Sequence, residues 1–410
     1  MVDQYWQEII DPGDRASQLG KEICFASHGN CDAVRMYPHQ PGNFRGAVGF
    51  TWKPHILKRM ANNSAETWTM LEEVENDGAG GKPQFFTLVG TPEVFTSLGW
   101  EIIEMVVEDF SRSGRLACVF SNDLNVKRIT EANFPLVEAC FKGYGAALAK
   151  TKLVNITGEV AVMKHSITAF CDANSGEQLV LTWGGTCTGL AYRPFLIDGS
   201  AIKAGMPVVG FWEHGYRCNG GTFFTNVILN QFGPDFAAIR SNPAAMTFIR
   251  ELTVPSASYS RTICRLVGWN DDGSPGEPLA RIAGIAHITG GGVWGKFGEL
   301  LPKGIGARLD TMPNPALVLL QGQRLSWDLE GLRLTDHQAY GTLHGGCGML
   351  LVCSTDNDAQ TVIEEARHDG ITVQAVGRTN EHTAQGEKLV IRSRFHDYDR
   401  PLNASELKKS

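Results

Sequence analysis

The first residues that could do chemistry lie in a glycine-rich loop at residues 76–82. This loop follows a strand predicted over residues 67–74. Closely spaced glycines let several backbone N–H groups converge on the oxygens of a phosphate. Asp77 could hold a magnesium ion beside that phosphate, and Lys82 could add a positive charge. The candidate cofactor-binding residues here are Asp77, Gly78, Gly80, Gly81 and Lys82. The loop does not match the Walker pattern, so an ordinary surface loop is the alternative interpretation.

Acidic residues form a second candidate group, which suits a metal ion. Glu101 and Asp109 lie eight residues apart in a predicted helix, about two turns apart on one face. Glu159 stands between Gly158 and an apolar run. An acidic residue in this position is poorly explained as an ordinary exposed surface residue. Because magnesium bridges phosphates through only one or two carboxylates, a sparse set of acids is sufficient. The predicted metal ligands are Asp77, Glu101, Asp109 and Glu159, with Gly158 beside the cofactor. A solvated helix face is the alternative for the helical pair.

His287 begins a third group, which continues into Gly290, Gly291 and Gly292 before a predicted helix. Consecutive glycines at a helix start make an anion-binding turn, because the N–H groups and the helix dipole point at one place. His287 could then act as an acid, a base or a hydrogen-bond donor, although a structural histidine is the alternative. Asn219, in an Asn-Gly turn, could hydrogen-bond a polar substrate. The predicted catalytic residues are His287, Asn219 and Lys82.

Alternating strand-like and helical runs position these groups. Short apolar runs predict strands over 67–74, 85–89, 116–120 and 153–156, and apolar spacings of three and four predict helices over 100–110 and 135–150. An Asp-Gly turn at residues 198–199 is the best boundary candidate, and a second alternation follows it. We therefore predict an α+β chain with an extension or lid at 1–45, an amino-terminal domain at 46–200 and a carboxy-terminal domain at 201–410.

Composition narrows the class of protein. With 410 residues and 43% hydrophobic residues, the chain can bury the cores of two domains. A net charge of −7 excludes a global positive field for nucleic acid or an anionic membrane. Neither a membrane-spanning run nor a secretory signal is recognisable, so we expect a cytoplasmic protein. The ten cysteines include no Cys-x-x-Cys pair, which favours buried thiols over disulfides or zinc.

The motifs, in this order, resemble the aminoimidazole ribonucleotide synthetase family, also called phosphoribosylformylglycinamidine cyclo-ligase. Its superfamily includes formylglycinamidine ribonucleotide synthetase, selenophosphate synthetase, thiamine-monophosphate kinase and a hydrogenase-maturation protein. Five stretches carry the resemblance: the glycine loop at 77–82, the acidic helix at 99–109, a glutamate turn at 158–163, the His-Ile-Thr-Gly-Gly-Gly run at 287–292, and a late glycine turn at 345–349.

The resemblance implies a two-domain α+β protein. Its amino-terminal domain would pair into a β-barrel across a homodimer, and its carboxy-terminal domain would be an α/β sandwich. ATP and Mg²⁺ would bind in a groove between the domains. The implied reaction is the ATP-dependent conversion of formylglycinamidine ribonucleotide, a small phosphorylated substrate, to aminoimidazole ribonucleotide in purine biosynthesis, through an iminophosphate.

Residue roles also follow from the resemblance. Asp77, Asp109 and Glu159 would hold or orient magnesium. Lys82 and the nearby glycines would hold phosphate. His287 and Asn219 would face the substrate.

The chain departs from the family pattern at four positions. Gly81 stands where the family has Thr, Glu108 where it has Asn, Arg217 where it has His, and Lys164 where it has Pro. Several of these changes fall on the substrate side, although Arg217 could still meet a phosphate. Two alternatives to the cyclo-ligase therefore stay open. One is a related ATP-dependent enzyme with a different amide or phosphorylated substrate, and the other is a catalytically silent nucleotide-binding relative.

Overall fold

The computed structural model describes residues 11–38, 47–382 and 387–404. Its strands form sheets of two, four and seven strands, with helices packed on the two larger ones. This mixed architecture confirms that the chain combines α and β structure. The β-barrel across a dimer and the domain boundaries stay predictions. No helix in the described ranges is both long and apolar enough to cross a bilayer.

The amino-terminal part begins with a helix that packs on the four-stranded sheet. Its elements are α1 (Pro12–Ser27), β1 (Val34–Pro38), β2 (Ala47–Trp52) and α2 (Pro54–Met60). Asp11 caps α1 through its side chain, and Ala16 is fully buried in the core beneath it. The Ser27 hydroxyl accepts a hydrogen bond from the Asn155 N–H at 2.8 Å. The described part of the predicted extension is thus anchored; residues 1–10 and 39–46 lie outside the described ranges.

The four-stranded sheet carries one helical layer. It comprises β3 (Met70–Gly78), β4 (Leu116–Val126), β5 (Val154–Val162) and β6 (Leu181–Tyr192), in the order β3-β6-β4-β5. The helices α3 (Pro83–Val89), α4 (Pro92–Ser111) and α5 (Phe134–Thr151) complete this part of the chain. Buried side chains of α4 and α5, such as Ile102 and Val137, share a core cluster with Phe120 and Leu124 of β4.

The predicted strand over residues 85–89 is wrong, because this run forms α3. A short buried apolar run fits a strand or a helix equally well by its pattern alone. Pro83 decides the outcome, since it occupies the first helical turn, where its fixed φ and missing N–H cost nothing. The helix ends at Gly90, which takes the left-handed conformation.

The seven-stranded sheet lies between two helical layers, as the predicted α/β sandwich requires. Its order is β13-β12-β9-β11-β7-β10-β8. The strands are β7 (Pro207–Trp212), β8 (Ile282–His287), β9 (Ile305–Leu309), β10 (Cys347–Cys353), β11 (Val373–Glu381), β12 (Leu389–Arg392) and β13 (Pro401–Asn403). The helices are α6 (Gly221–Phe232), α7 (Phe236–Ser241), α8 (Pro243–Glu251), α9 (Ser260–Val267), α10 (Gly292–Leu300), α11 (Leu317–Ser326), α12 (Asp336–Thr342) and α13 (Asp356–His368).

Alternate residues of the central strands belong to different cores. Val208 and Leu350 pack in one apolar cluster, whereas their neighbours Val209 and Leu351 pack in another that includes residues of α9 and α13. Because both faces are buried, these strands are apolar without alternation.

Two glycines allow the close contact between α4 and α5. A Cβ at Gly143 would lie 1.7 Å from the Thr96 carbonyl oxygen, and one at Gly99 would lie 2.2 Å from the Tyr144 nitrogen. Both obstacles are backbone atoms, which cannot move aside without shifting a helix.

We expect Gly143→Ala to destabilise the protein by about 2 kcal/mol or more, because it overpacks the α4–α5 contact. Gly145→Ala in the same helix is the matched control, since the added Cβ would meet only the flexible end of Ile23. Urea unfolding of both variants measures the difference. Equal stability of the two would contradict the close contact.

Candidate functional site

The candidate site lies in the seam where the carboxyl end of β3 and helix α4 meet the loop after β7 and the end of β8. The glycine loop crosses this seam. A Cβ at Gly80 would lie 3.2 Å from the Cys218 carbonyl oxygen, and one at Gly81 would lie 3.7 Å from the Gly221 Cα. The loop therefore packs against the predicted Asn-Gly turn, although the two are far apart in the sequence.

Asp77 is exposed near the carboxyl end of β3, just before this loop. Its Oδ1 accepts a hydrogen bond from the Gly78 N–H at 2.7 Å. Burial raises the pKa of the Asp77 carboxyl, and the negative charge of Asp109 raises it further, whereas Lys296 opposes the shift. Lys296 also lowers the pKa of Asp109, so both aspartates lie within electrostatic reach of this lysine.

Asp109 lies near the end of α4 and remains partly exposed. Its Oδ1 accepts hydrogen bonds from His287 Nδ1 at 2.8 Å and from Arg112 Nε at 3.0 Å. Although burial raises the pKa of Asp109, the His287 hydrogen bond and the nearby positive charges lower it to about 2. The carboxylate is therefore ionised throughout the physiological range.

His287 ends β8 and is fully buried at its side chain. Its Nε2 lies 2.7 Å from Arg217 Nη2, and its Nδ1 lies on Asp109. Burial and the Arg217 charge lower the pKa of His287 to about 4. Because protein groups occupy both ring nitrogens, this geometry corrects the prediction that His287 meets the substrate as an acid or base.

Lys82 and Glu101 form a buried ion pair, which corrects both of their predicted roles. Lys82 Nζ lies 2.7 Å from Glu101 Oε1 and from the Val254 carbonyl oxygen, and both side chains are completely buried. Glu101 also accepts hydrogen bonds from the Ser256 N–H and hydroxyl and from the Cys218 thiol. A buried charge needs such partners, so neither group is free for phosphate or metal.

The predicted glycine turn lies at the start of α10, and its anion-binding role stays a prediction. Gly291 is the N-cap at φ 92°, with no side-chain cap, and Gly292 follows at φ 58°. A Cβ at Gly292 would lie 2.1 Å from the Tyr340 carbonyl oxygen, so this position requires glycine. The first N–H groups of the helix thus have no side-chain partner.

A second helix begins beside this turn. Gly220 is the N-cap of α6 at φ 88° and also lacks a side-chain cap. Asn219 precedes it, and its Oδ1 lies 3.7 Å from the position of a Cβ at Gly290. Asn219 and the three consecutive glycines therefore lie together, at two helix amino termini.

Glu159 and Gly158 lie apart from this group, which corrects their predicted convergence with Asp77. Across the four-stranded sheet, Asp77 pairs with Gly185, Gly185 with Asn122 and Asn122 with Gly158, so these residues form one row. Asp77 and Gly158 stand at the two ends of this row, three strand spacings or about 14 Å apart. Glu159 is exposed and pairs with Asp123 in the next row, so it lies on the opposite face of the sheet from Asp77.

A separate cavity lies beside β5. Its volume is about 410 Å³, and its lining includes Gly158, Glu159 and Asn122 together with Ser17 and Lys21 of α1. β5 and β3 are the two opposite edge strands of the four-stranded sheet, so this cavity is distinct from the seam.

Lys296, Arg112 and Glu213 belong to the seam but were not singled out from the sequence. Lys296 lies four residues after Gly292 on α10, a spacing of about one helical turn that could have drawn attention to it. Across the described ranges, no group of three or more His, Cys, Asp or Glu side chains is arranged to hold a metal ion.

The chain is similar to known proteins in part of its sequence and in its fold. Residues 275–388 match the family model described as "AIR synthase related protein, C-terminal domain". The phosphoribosylformylglycinamidine cyclo-ligase of Prochlorococcus marinus is 24% identical over 369 residues, 86% of this chain and 90% of that protein. The same-named protein of Nitrosococcus oceani is 25% identical over 207 residues, 50% of this chain but only 52% of its own length.

A solved structure shares the fold. Thiamine-monophosphate kinase from Stenotrophomonas maltophilia superposes with a TM-score of 0.55, covering 92% of this chain and 96% of that one at 12% identity. At such low identity the likeness establishes the fold alone.

His344 gives the seam a dependence on pH. Its Nε2 lies 2.9 Å from the Gly215 carbonyl oxygen, and its Nδ1 accepts the Gly346 N–H at 3.1 Å. Burial lowers the pKa of His344 to about 4; Arg217 and Lys82 lower it as well, whereas Glu213 opposes them. The unfolded chain therefore takes up this proton near pH 6.5, before the folded chain can.

We expect stability to fall between pH 6.5 and pH 4, with His344 contributing about 3 kcal/mol of the loss. His344→Gln, whose amide can keep both hydrogen bonds, should flatten that part of the profile. Denaturant unfolding at pH 7 and pH 5 measures the slope. The exposed His165→Gln is the control, and an unchanged slope in His344→Gln would refute the assignment.

Proposed function

We propose that the chain is an ATP-dependent cyclo-ligase of the AIR synthase-related family, whose carboxy-terminal domain model matches residues 275–388. The proposed reaction converts formylglycinamidine ribonucleotide to aminoimidazole ribonucleotide. The observation that carries the proposal is the convergence of Asp77, Asp109 and the amino termini of α6 and α10 in one seam. The match at residues 275–388 and the curated relatives support it.

The proposed chemistry asks the protein mainly to position reactants and balance charge. The formyl amide oxygen of the substrate receives the γ-phosphoryl group of ATP, an amidine nitrogen attacks the activated carbon, and phosphate leaves. Such a transfer depends on alignment and on stabilising the charge of the phosphoryl oxygens. Backbone N–H donors and fixed carboxylates, which this seam supplies, suit that task.

The two helix amino termini are the proposed phosphate-binding elements. Neither α6 nor α10 has a side-chain cap, so N–H groups in their first turns can donate to phosphate oxygens, except that of Gly292, which donates to the Thr289 carbonyl oxygen. Gly80 and Gly81 lie against the start of α6 and the loop before it and can add backbone donors, whereas Gly78 packs against Trp183 and Gly184 of β6. In this proposal backbone replaces the charge that Lys82 was predicted to supply. Asn219 lies between the two termini, where its amide can contact the substrate.

Asp77 and Asp109 fit a magnesium ion, which the proposal includes with ATP. Beyond the effect of burial, the charge of Asp109 raises the pKa of Asp77, a repulsion that a cation between them would relieve. Their oxygens are the hard ligands that magnesium prefers, and one or two carboxylates suffice when phosphates complete the shell. When bound, the ion would neutralise phosphate charge.

A different acceptor is the second candidate function, and Arg217 is the observation that favours it. This residue stands where the family has His, and its side chain is completely buried. The acceptor pocket therefore lacks a side chain that the family places there, and Arg217 is not free to meet a phosphate.

A cytoplasmic location and a homodimer remain parts of the proposal that rest on the resemblance.

Purified protein incubated with formylglycinamidine ribonucleotide, ATP and Mg²⁺ should release ADP, phosphate and aminoimidazole ribonucleotide. Product formation measured by chromatography supports the cyclo-ligase. ATP hydrolysis that responds only to another amide or phosphorylated metabolite would instead support the second candidate. Failure to bind Mg·ATP in a calorimetric titration would contradict both and indicate a silent relative.

Asp109→Asn should lower turnover on the order of 100-fold, because the amide keeps the shape of the side chain but removes the negative charge that would hold Mg²⁺ against the phosphates. Asp356→Asn, at an exposed surface pair with Arg378, is the matched control. Steady-state kinetics and thermal unfolding of both variants check the effect. Turnover equal to that of the control would remove Asp109 from the site.

A further inference from the structure

A chain of buried side chains leads from Glu213 to Asp109. Arg217 Nη1 lies 2.5 Å from Glu213 Oε2, and Arg217 Nη2 lies 2.7 Å from His287 Nε2. His287 Nδ1 then lies 2.8 Å from Asp109 Oδ1. The first three side chains are completely buried, and only Asp109 reaches the open part of the seam.

Glu213 is the fixed end of this chain. Its Oε1 accepts the N–H groups of His214 at 3.0 Å and Gly215 at 3.4 Å, and the Ala257 N–H lies 3.3 Å from both of its oxygens. A carboxylate held by several backbone donors and one guanidinium has a single orientation. It therefore determines where the guanidinium of Arg217 points.

Arg217 is held in a conformation that it would not adopt freely. Its φ of 61° lies in the left-handed region, which costs a non-glycine residue roughly 1 kcal/mol or more. Tyr259 places its ring 5.4 Å from the guanidinium, and a Cβ at Gly348 would lie 3.0 Å from Nη1. Backbone strain and close packing at one charged residue indicate that the surrounding structure determines its position.

The guanidinium dictates which nitrogen of His287 carries the proton. Arginine has hydrogen-bond donors and no acceptor, so His287 Nε2 must accept. A neutral ring then carries its one proton on Nδ1, which donates to Asp109 Oδ1. Arg112 Nε donates to the same oxygen, and in the described ranges no hydrogen bond reaches Asp109 Oδ2.

We propose that Glu213 and Arg217 are positioning residues that lock His287 as an Nδ1–H donor and thereby present Asp109 Oδ2 to the Mg²⁺ that would accompany ATP. The role assigned to Oδ2 rests on the proposed function, whereas the tautomer of His287 does not. Groups behind a metal-facing carboxylate typically change metal affinity by about 10-fold to 100-fold when they are removed.

Nuclear magnetic resonance of protein labelled with ¹⁵N-histidine tests the tautomer directly, with His287→Gln assigning the signal. We expect a neutral ring protonated at Nδ1. His344 is the internal control, because its contacts with Gly215 and Gly346 require the opposite tautomer, protonated at Nε2. A proton on His287 Nε2 in the unaltered protein would overturn the proposal.

The double variant Glu213→Gln/Arg217→Met removes both charged groups behind His287, so neither is left buried and unpaired. We expect loss of the Nδ1–H signature and a Kd for Mg·ATP raised about 10-fold to 100-fold in calorimetry. Lys82→Met/Glu101→Gln removes another buried ion pair from the same seam and should keep the signature. Loss of the signature in both double variants would show general loosening and overturn the specific role.

Arg217→Lys is the milder variant if the double variant does not fold. Its single ammonium cannot bridge Glu213 and His287 as the guanidinium fork does, so we expect the same signature loss and weaker Mg·ATP binding. Unchanged signature and affinity would overturn the proposal. Failure of the proposed function would look different: the unaltered protein would bind no Mg·ATP while His287 still showed the Nδ1–H form.

Discussion

Burial of charge between the two larger sheets is the constraint on which the rest of the site depends. Arg217 and Lys82 are completely buried, and each is paired with a completely buried glutamate. Removing such charges from water is costly unless hydrogen bonds satisfy every polar atom around them. The seam therefore has little freedom: α4 and the loops after β7 and α8 fit together in one arrangement, and that arrangement fixes Asp109.

The buried pairs also divide the acidic residues of α4 by role. Glu101 faces a lysine in the interior, whereas Asp109, two turns later, emerges at the open end of the seam. Glu108 lies between these roles, since it is fully buried and its Oε1 accepts the Ser260 N–H at 3.0 Å, at the start of α9. One helix thus contributes a buried ion pair to the seam at one end and a partly exposed carboxylate at the other.

Local sequence patterns were sufficient to predict the strands and turns whose conformation depends mainly on neighbouring residues. The short apolar runs at 116–120 and 153–156 predicted strands that form parts of β4 and β5, and glycine spacing predicted the turn before α10. Helical periodicity predicted that Glu101 and Asp109 lie on one face of α4. It could not show that Lys82 forms an ion pair with Glu101 and not with Asp109. Glu159 was misplaced because strand order and register, which separate it from Asp77, depend on the whole sheet.

A crystal structure with Mg²⁺ and a non-hydrolysable ATP analogue tests the central claim most directly. The account predicts that the phosphates lie between the glycine loop and the starts of α6 and α10, with Asp77 and Asp109 facing the metal. Phosphates bound in the cavity beside Glu159, with neither aspartate within reach of the metal, would contradict it.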